Sequence, residues 1–584
     1  MKLDRGRTGA GHLGKDQVRQ KQGNNRDAPS APGEGMGSWS NSLWGREEHS
    51  MPEPRSLWMF GLRSDEPSYQ ERVVAAARLS ERFGVELEAP RIPGVEDLVL
   101  RPPRIVPPSS LVDVCRQDTW ERAYHSYGYD RVDHAVYGDY PNPPDVVAHP
   151  RTDPELESVV DWCVSDGLCM IPYGGGSSVV QGVTPPEDRG PTVTIAMDLM
   201  DRVVEVDAVS RAARIQAGVF GPALEDQLRP YGFTLRHFPQ SFAGSTLGGW
   251  IATRAGGHYA TNHTHIDDFV ESVRMLTPRG WWETRRLPAS GAGPDSNRLV
   301  IGSEGILGVI TEAWMRIQAR PRFRATAGVR FASWEQGWEA TREIAQAKLW
   351  PANLRLLDAE LAHGAAGLDG NQVLLIVGFE SAEIPQRPNM EAALSIARGR
   401  GGLIADEEVA IDDGTGAPTG RGGAAGAWRN AFIPGTSGGG LGVLAGLGLV
   451  AGTFETAVTW DRWPELDDSV RSATLGALRE ACGDGSVNCR FTHVYPDGPA
   501  PYYTYLGVRR KGTDAGGAHR VVKQAASDAI LAAGGTITHH HAVGRQHRPW
   551  YDRERPDLFA QVLKAAKATV DPGGLLNPGV LIDP

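Results

Sequence analysis

"PYGGGSSVVQG", Pro172 to Gly182, follows the apolar run "LCMI" and places three glycines and two serines where that run ends. Read as a strand feeding a glycine loop, this stretch decides the fold. Residues without a Cβ let successive backbone N–H groups turn into one concavity, a cradle for phosphate oxygens. One such loop is weak evidence, because many are simple turns. A P-loop is excluded, since no Gly-Lys-Ser/Thr follows, and the G-x-G-x-x-G entry into a helix is missing. Two further stretches give the loop its weight. "PQSFAGSTLGGWIATRAGG", from Pro239, and "GSEGILGVITEA", from Gly302, also crowd glycines, hydroxyls and small residues. Three such loops in one domain point to a wrapped cofactor.

The flanks read as α+β. "TDPELESVVDWCVSDG" opens with Thr152 and Glu155 at capping-box spacing and carries an apolar stripe, which predicts a helix ending at Gly167. "TVTIAMDLM", "RVVEVD" and "AARIQAGV" alternate as strands, and "GPALEDQLRPYGF" reads as a short helix. This pattern assigns residues 140–320 to one α+β domain. Before it come a polar segment, 1–50, expected to be disordered, and a helical and extended region, 51–139. After it, residues 321–584 alternate strands and helices and close the chain. "HRVVKQAASDAILAAGG" and "DLFAQVLKAAKATVDPGG" predict helices, and "TITHHH" predicts a strand between them.

Bulk properties narrow the class. The chain has 584 residues, 40% of them hydrophobic, and a net charge of -11. It can bury a large core in two or three domains, and without a basic patch it is not expected to bind nucleic acid. Cys115, Cys163, Cys169, Cys482 and Cys489 are odd in number and form no C-x-x-C pair, which argues against a disulfide framework or structural zinc. With no secretory signal at the start, the expectation is a cytoplasmic protein. The uncharged stretch Gly438–Phe454 reads as a buried or lid segment, with a lining for a greasy substrate or a shallow membrane contact as the alternative.

The order Pro-x-Gly-Gly-Gly-x-Ser, Ser-Thr-x-Gly-Gly-Trp, Thr-Arg-Ala and Gly-Ser-Glu-Gly-x-Leu-Gly resembles the flavin-binding domain of the vanillyl-alcohol-oxidase/p-cresol-methylhydroxylase superfamily. With "PANLRLLD", "TFETAVTWDR", "YYTY" and "HHHAVG", the chain is similar to the alkyldihydroxyacetonephosphate synthase family within it, from about Trp162 onward. The resemblance implies a PCMH-type FAD-binding domain followed by a substrate or cap domain that returns to the flavin site. It implies that Pro172, Tyr173, Gly174, Gly175, Gly176, Ser177 and Ser178 hold the FAD diphosphate. Three further groups would contact the rest of the cofactor: Gln240, Ser241, Phe242, Ala243, Gly244, Ser245 and Thr246; Thr253, Arg254, Ala255 and Gly256; and Gly302, Ser303, Glu304, Gly305, Ile306, Leu307 and Gly308. The first loop has no His or Cys, so the FAD is expected to be non-covalent.

The chemistry is expected near the C-terminus, in "TITHHHAVGRQH", Thr536 to His547. On a strand His539 and His541 would share one face and His540 the other. That spacing could serve zinc, but no nearby Cys or acidic residue completes a set, and no metal is expected. The resemblance implies instead that His539, His540 and His541 face the flavin and bind a phosphate or carboxylate. In "PAPYYTYLGV", Tyr503 and Tyr505 share a face, and the resemblance makes Tyr503 the acid/base group and Arg355 important for activity. The implied reaction removes a proton from C1 of acyl-dihydroxyacetone phosphate. The substrate carbon is carried on the flavin while the fatty acid leaves, and a fatty alcohol takes its place. The pattern departs at two points: a substrate-binding arginine expected about a dozen residues before Phe-Glu-Thr is missing, with Arg429 further upstream, and the C-terminal "DPGGLLNPGVLI" looks more like the general flavin oxidases of the superfamily. The alternative is an FAD-linked oxidase or dehydrogenase of a small hydroxy acid or alcohol. Either reading implies a small-molecule or lipid substrate, and leaves room for a peripheral membrane contact and a homodimer.

Overall fold

Parallel strands are covered on both faces, and "TVTIA", although it alternates, is buried at every position. It forms the centre of the first sheet. β1 (Cys115–Arg116), β2 (Val146–Ala148), β3 (Cys169–Tyr173) and β4 (Thr192–Ala196) lie in the order β1-β2-β4-β3, with β2, β4 and β3 parallel. The computed structural model describes residues 55–258, 265–416, 423–427, 444, 447, 449–508 and 515–583. Helix α1 (Asp153–Asp166) starts where Thr152 accepts from the Glu155 amide at 3.4 Å and stops at Gly167, whose φ of 66° suits a residue without Cβ. Its Leu156, Val159, Val160 and Cys163 pack on β2–β4.

The second sheet is antiparallel. β5 (Val203–Asp207), β6 (Ala212–Gln216), β7 (Val270–Thr277), β8 (Gly280–Glu283) and β9 (Val309–Arg316) run in the order β5-β6-β9-β7-β8. Helix α2 (Leu247–Thr253) buries Leu247, Trp250 and Ile251 in this core. Its N-cap is Thr246, so the second glycine stretch becomes the turn into a helix.

Seven antiparallel strands make the third sheet: β10 (Phe323–Phe331), β11 (Asn353–Leu357), β12 (Val373–Ser381), β13 (Val409–Asp413), β14 (Leu449–Glu455), β15 (Gly485–Val494) and β16 (Pro499–Val508). Their order is β13-β10-β12-β11-β15-β16-β14, so β14 is an edge. Helices α3 (Trp334–Gln346), α4 (Arg387–Gly399), α5 (Trp463–Cys482) and α6 (Ala515–Ala532) bury one face of it in a continuous core. The chain then returns to the first sheet. Leu576 bridges Met170, and the Asn577 amide donates to the carbonyls of Gly182 and Glu304 at 2.9 and 2.8 Å.

One expectation needs correction. "TITHHH" is not a strand but an irregular turn, for a reason given below. Gly438–Phe454 lies partly outside the described residues, and its Leu449–Phe454 part belongs to the largely buried strand β14. No described helix is long and apolar enough to cross a membrane. The N-terminal segment 1–50 also lies outside the described residues.

Candidate functional site

A cavity of about 1180 Å³ lies between the glycine loops and the third sheet. All of Pro172, Tyr173, Gly174, Gly175, Gly176, Ser177 and Ser178 line it. The loops that build this wall pack backbone against backbone. A Cβ on Gly174 would stand 2.3 Å from the Thr246 hydroxyl, and one on Gly175 would stand 2.0 Å from the Gly244 carbonyl. Only glycine permits that approach, and it is the cradle a diphosphate requires. Gln240, Ser241, Thr246, Thr253, Ala255 and Gly256 extend the wall, as do Glu304, Gly305 and Gly308. These residues fit FAD in composition and in cavity size.

The other expected contacts stand behind the wall rather than on it. Phe242 stacks on Trp250 at 6.2 Å, Ala243 is exposed, and Gly244 lies under Gly175. Ser245 accepts from the Trp250 indole at 2.7 Å, and Arg254 pairs with Asp267 at 2.9 Å. Gly302 packs on Arg254, Ser303 is buried, and Ile306 and Leu307 fill the core. Small-residue motifs do not distinguish a residue that touches a ligand from one that lets the wall close. Conversely, Phe60, Tyr129, Asp130, His134, Tyr137 and Asp139 line the cavity, although the sequence pattern assigned them to a separate N-terminal region. Glu304, at a φ of 49°, accepts from the Val543 and Gly544 amides at 2.9 and 2.8 Å. Burial pushes its carboxyl up to about 7.

Across the cavity the three histidines are held by one carboxylate. Glu455, the acid of "TFETAVTWDR", is 2% exposed. It accepts from the backbone amides of His539, His540 and His541 at 2.8, 3.1 and 3.0 Å and from the Thr538 hydroxyl at 2.6 Å. Successive amides on a strand point in opposite directions, so three converging on one carboxylate demand a turn. That is why "TITHHH" does not extend. Burial alone would raise Glu455, but His540, His541 and His539 hold it well below the usual carboxylate range.

The turn puts His540 and His541 on the cavity wall together, where a strand would have separated them. His539 lies behind them, with Tyr495 Oη at 2.6 Å from its Nε2 and His540 Nδ1 at 3.0 Å from its Nδ1. Burial holds His539 and His541 well below the ordinary imidazole value. His493, His539 and His540 each offer a ligand atom within 4.8 Å of the others. However, His493 Nε2 faces the Gly257 carbonyl at 3.0 Å and Nδ1 faces the Thr492 hydroxyl at 3.0 Å, so both nitrogens are committed.

Strand parity separates the tyrosines. Tyr502 pairs with Glu455 across β14 and β16 and lines the cavity with Thr504. The Arg490 guanidinium lies 4.1 Å above its ring. Burial raises the Tyr502 phenol, and Arg490 and Thr453 oppose that rise. Tyr503 points the other way, into the helical core. It is fully buried, stacks on Phe454 at 5.0 Å and donates to Asp467 at 2.9 Å. Burial and Asp467 push its phenol well above its ordinary value. Tyr503, expected at the flavin, is not among the residues that line the cavity.

Arg355 is also off the cavity wall. It is 1% exposed on β11, where Nε donates to Asn353 Oδ1 at 3.1 Å and the guanidinium sits against His258. Arg429 lies outside the described residues. The cations on the wall are others: Arg490, Arg520 and Lys523. Lys523 was hidden in an amphipathic helix pattern and had no sequence signal of its own.

Comparison with known proteins is consistent along the chain. A model of the FAD binding domain matches residues 144–284, and a model of the C-terminal domain of FAD linked oxidases matches residues 320–581. An alkyldihydroxyacetonephosphate synthase from Caenorhabditis elegans is 30% identical over 481 residues, covering 76% of this chain and 77% of its own. One from Dictyostelium discoideum is 28% identical over 500 residues, covering 81% and 79%. A solved alkyldihydroxyacetonephosphate synthase structure superposes with a TM-score of 0.68 at 24% identity, over 86% of this chain and 91% of that one, and shares the fold.

Proposed function

The chain belongs to the alkyldihydroxyacetonephosphate synthase family, and from that premise we propose that it uses FAD to replace the acyl chain of acyl-dihydroxyacetone phosphate with a fatty alcohol. FAD, when bound, supplies an electron-poor ring position for the substrate carbon. The glycine loops hold its diphosphate through backbone amides. Tyr502 Oη takes the proton from C1 and returns one when the ether is complete. The Arg490 guanidinium beside its ring favours the phenolate that this needs. His540 and His541 orient the anionic head of the substrate, with Glu455 fixing their backbone. Tyr503 and Arg355 act as packing and positioning residues of the third sheet.

One observation carries this reading: Tyr502, Arg490, His540 and His541 line the same cavity as the three glycine loops. The test is an anaerobic mixing experiment. Acyl-dihydroxyacetone phosphate should release fatty acid and incorporate labelled fatty alcohol with no electron acceptor present. Stoichiometric flavin reduction by a small hydroxy acid, with no exchange, would assign the protein to the oxidases and dehydrogenases instead.

A further inference from the structure

The arginine that the family pattern places before Phe-Glu-Thr has no counterpart at that spacing, Arg429 lies outside the described residues, and the cavity supplies other cations. Among the described lining residues, the carboxylates are Asp130 and Asp139, from the N-terminal region, and Glu304, from the FAD-binding domain. Glu304 is engaged with the Val543 and Gly544 amides. The wall built by the third sheet and α6 carries Arg490, Arg520 and Lys523 and no carboxylate. Two of these cations are deeply placed: Arg490 and Lys523 are each 7% exposed.

The path of Lys523 is informative. α6 packs along the open edge of β14, and Lys523 Nζ donates to the Thr453 carbonyl of that edge at 2.9 Å. Thr453 itself lines the cavity, so the ammonium reaches round the edge strand to the substrate side. Thr453 pairs with Thr504, two residues from Tyr502, on the neighbouring strand. Lys523 and Arg490 line the same cavity as Tyr502 and His541.

We propose that Lys523 and Arg490 form the subsite for the phosphate group of the substrate, with Lys523 doing in this chain what the missing arginine does in the family pattern. The proposal rests on the exchange reading above. A phosphate dianion can accept charge-assisted hydrogen bonds from a guanidinium and an ammonium at once, which a singly charged carboxylate does less well. Lys523 is then a specificity-determining residue for phosphorylated substrates.

The probe is dihydroxyacetone phosphate, titrated into the flavin-loaded protein and read by the flavin absorbance change, with dihydroxyacetone and lactate as controls. Lys523→Gln is expected to weaken dihydroxyacetone phosphate binding at least about tenfold, the loss of one charged hydrogen bond. Lys523→Arg should restore most of it, and dihydroxyacetone should not distinguish the variants. Equal binding of dihydroxyacetone phosphate to wild type and Lys523→Gln would overturn the proposal, as would tighter Lys523-dependent binding of lactate. A second measurement needs no variant. Dihydroxyacetone phosphate, but not dihydroxyacetone, should slow acylation of Lys523 by an amine-reactive reagent in the wild-type protein, and unchanged labelling counts against the subsite. Exchange activity without Lys523-dependent binding sinks the subsite alone. Lys523-dependent binding without exchange sinks the exchange reading alone.

Discussion

Glu455 shows what a single side chain contributes to the site. A buried carboxylate costs several kcal/mol unless hydrogen bonds replace its water. Three consecutive amides and the Thr538 hydroxyl do so here, and in exchange the carboxylate bends the histidine segment. Glu455→Gln removes one acceptor oxygen and loosens that bend. A displacement of about 1 Å at reacting groups can cost about 100-fold in rate. Exchange turnover of Glu455→Gln should fall by about that factor while the flavin-to-protein absorbance ratio stays at the wild-type value. Unchanged turnover would remove the positioning role. The tyrosines show where residue-scale reading stops. Alternation on a strand is legible, so Tyr502 and Tyr503 must face opposite sides. Which side meets the cofactor is not, because both faces of this strand are covered and both positions read as buried aromatics.

At the scale of elements, most of the chain was legible from period and caps. Helix α1 and the strands β4 to β6 fall where the pattern put them. "TITHHH" does not, because its conformation is set by Glu455, more than eighty residues away in sequence. The glycine loop makes a sharp prediction. Gly175→Ala puts a methyl 2.0 Å from the Gly244 carbonyl, where backbone would have to move. Overpacking of this kind costs about 1–3 kcal/mol, and the purified variant should carry much less flavin per chain by absorbance. The contact between α1's sheet and the preceding helix makes another. His149 Nδ1 lies 2.8 Å from Asp198, and Nε2 lies 3.3 Å from Glu121. Burial would lower this imidazole, but the two carboxylates raise it from 6.5 to about 10. A raised value means stabilisation fully present below 6.5 and lost as pH climbs through about 10. The melting temperature should therefore decline between those values in the wild type and decline less in His149→Gln. Parallel pH profiles would contradict the ion pairing.

For the whole molecule, the decisive contacts join segments far apart in the chain, and no local pattern encodes them. Phe60 reaches the cavity from a region that precedes the first sheet. The last residues close the flavin half from the other end, where Lys567, 2% exposed, donates to Asp571 at 2.6 Å and to the carbonyls of Ile306 and Leu576 at 2.8 Å. Lys567→Met would strand the Asp571 carboxylate without its cation. Breaking one side of a buried pair costs about 3–5 kcal/mol, which should appear as a lower urea midpoint. A midpoint equal to that of the wild type would show that this closure is not needed for stability. The same long-range closure explains why the motifs identified the cofactor, while the tyrosine they singled out, Tyr503, stands off the cavity wall.

The central claim is that the reacting groups face FAD across one cavity from the Tyr502 side of β16. The most direct test compares exchange turnover in Tyr502→Phe and Tyr503→Phe, each with its flavin content measured. Tyr502→Phe should keep its flavin and lose at least about 100-fold in rate, the usual worth of a proton-transfer group. Tyr503→Phe should exchange at the wild-type rate and lose only about 1.5–3 kcal/mol of stability, the value of its hydrogen bond to Asp467. The reverse result, a dead Tyr503→Phe and an active Tyr502→Phe, would contradict it.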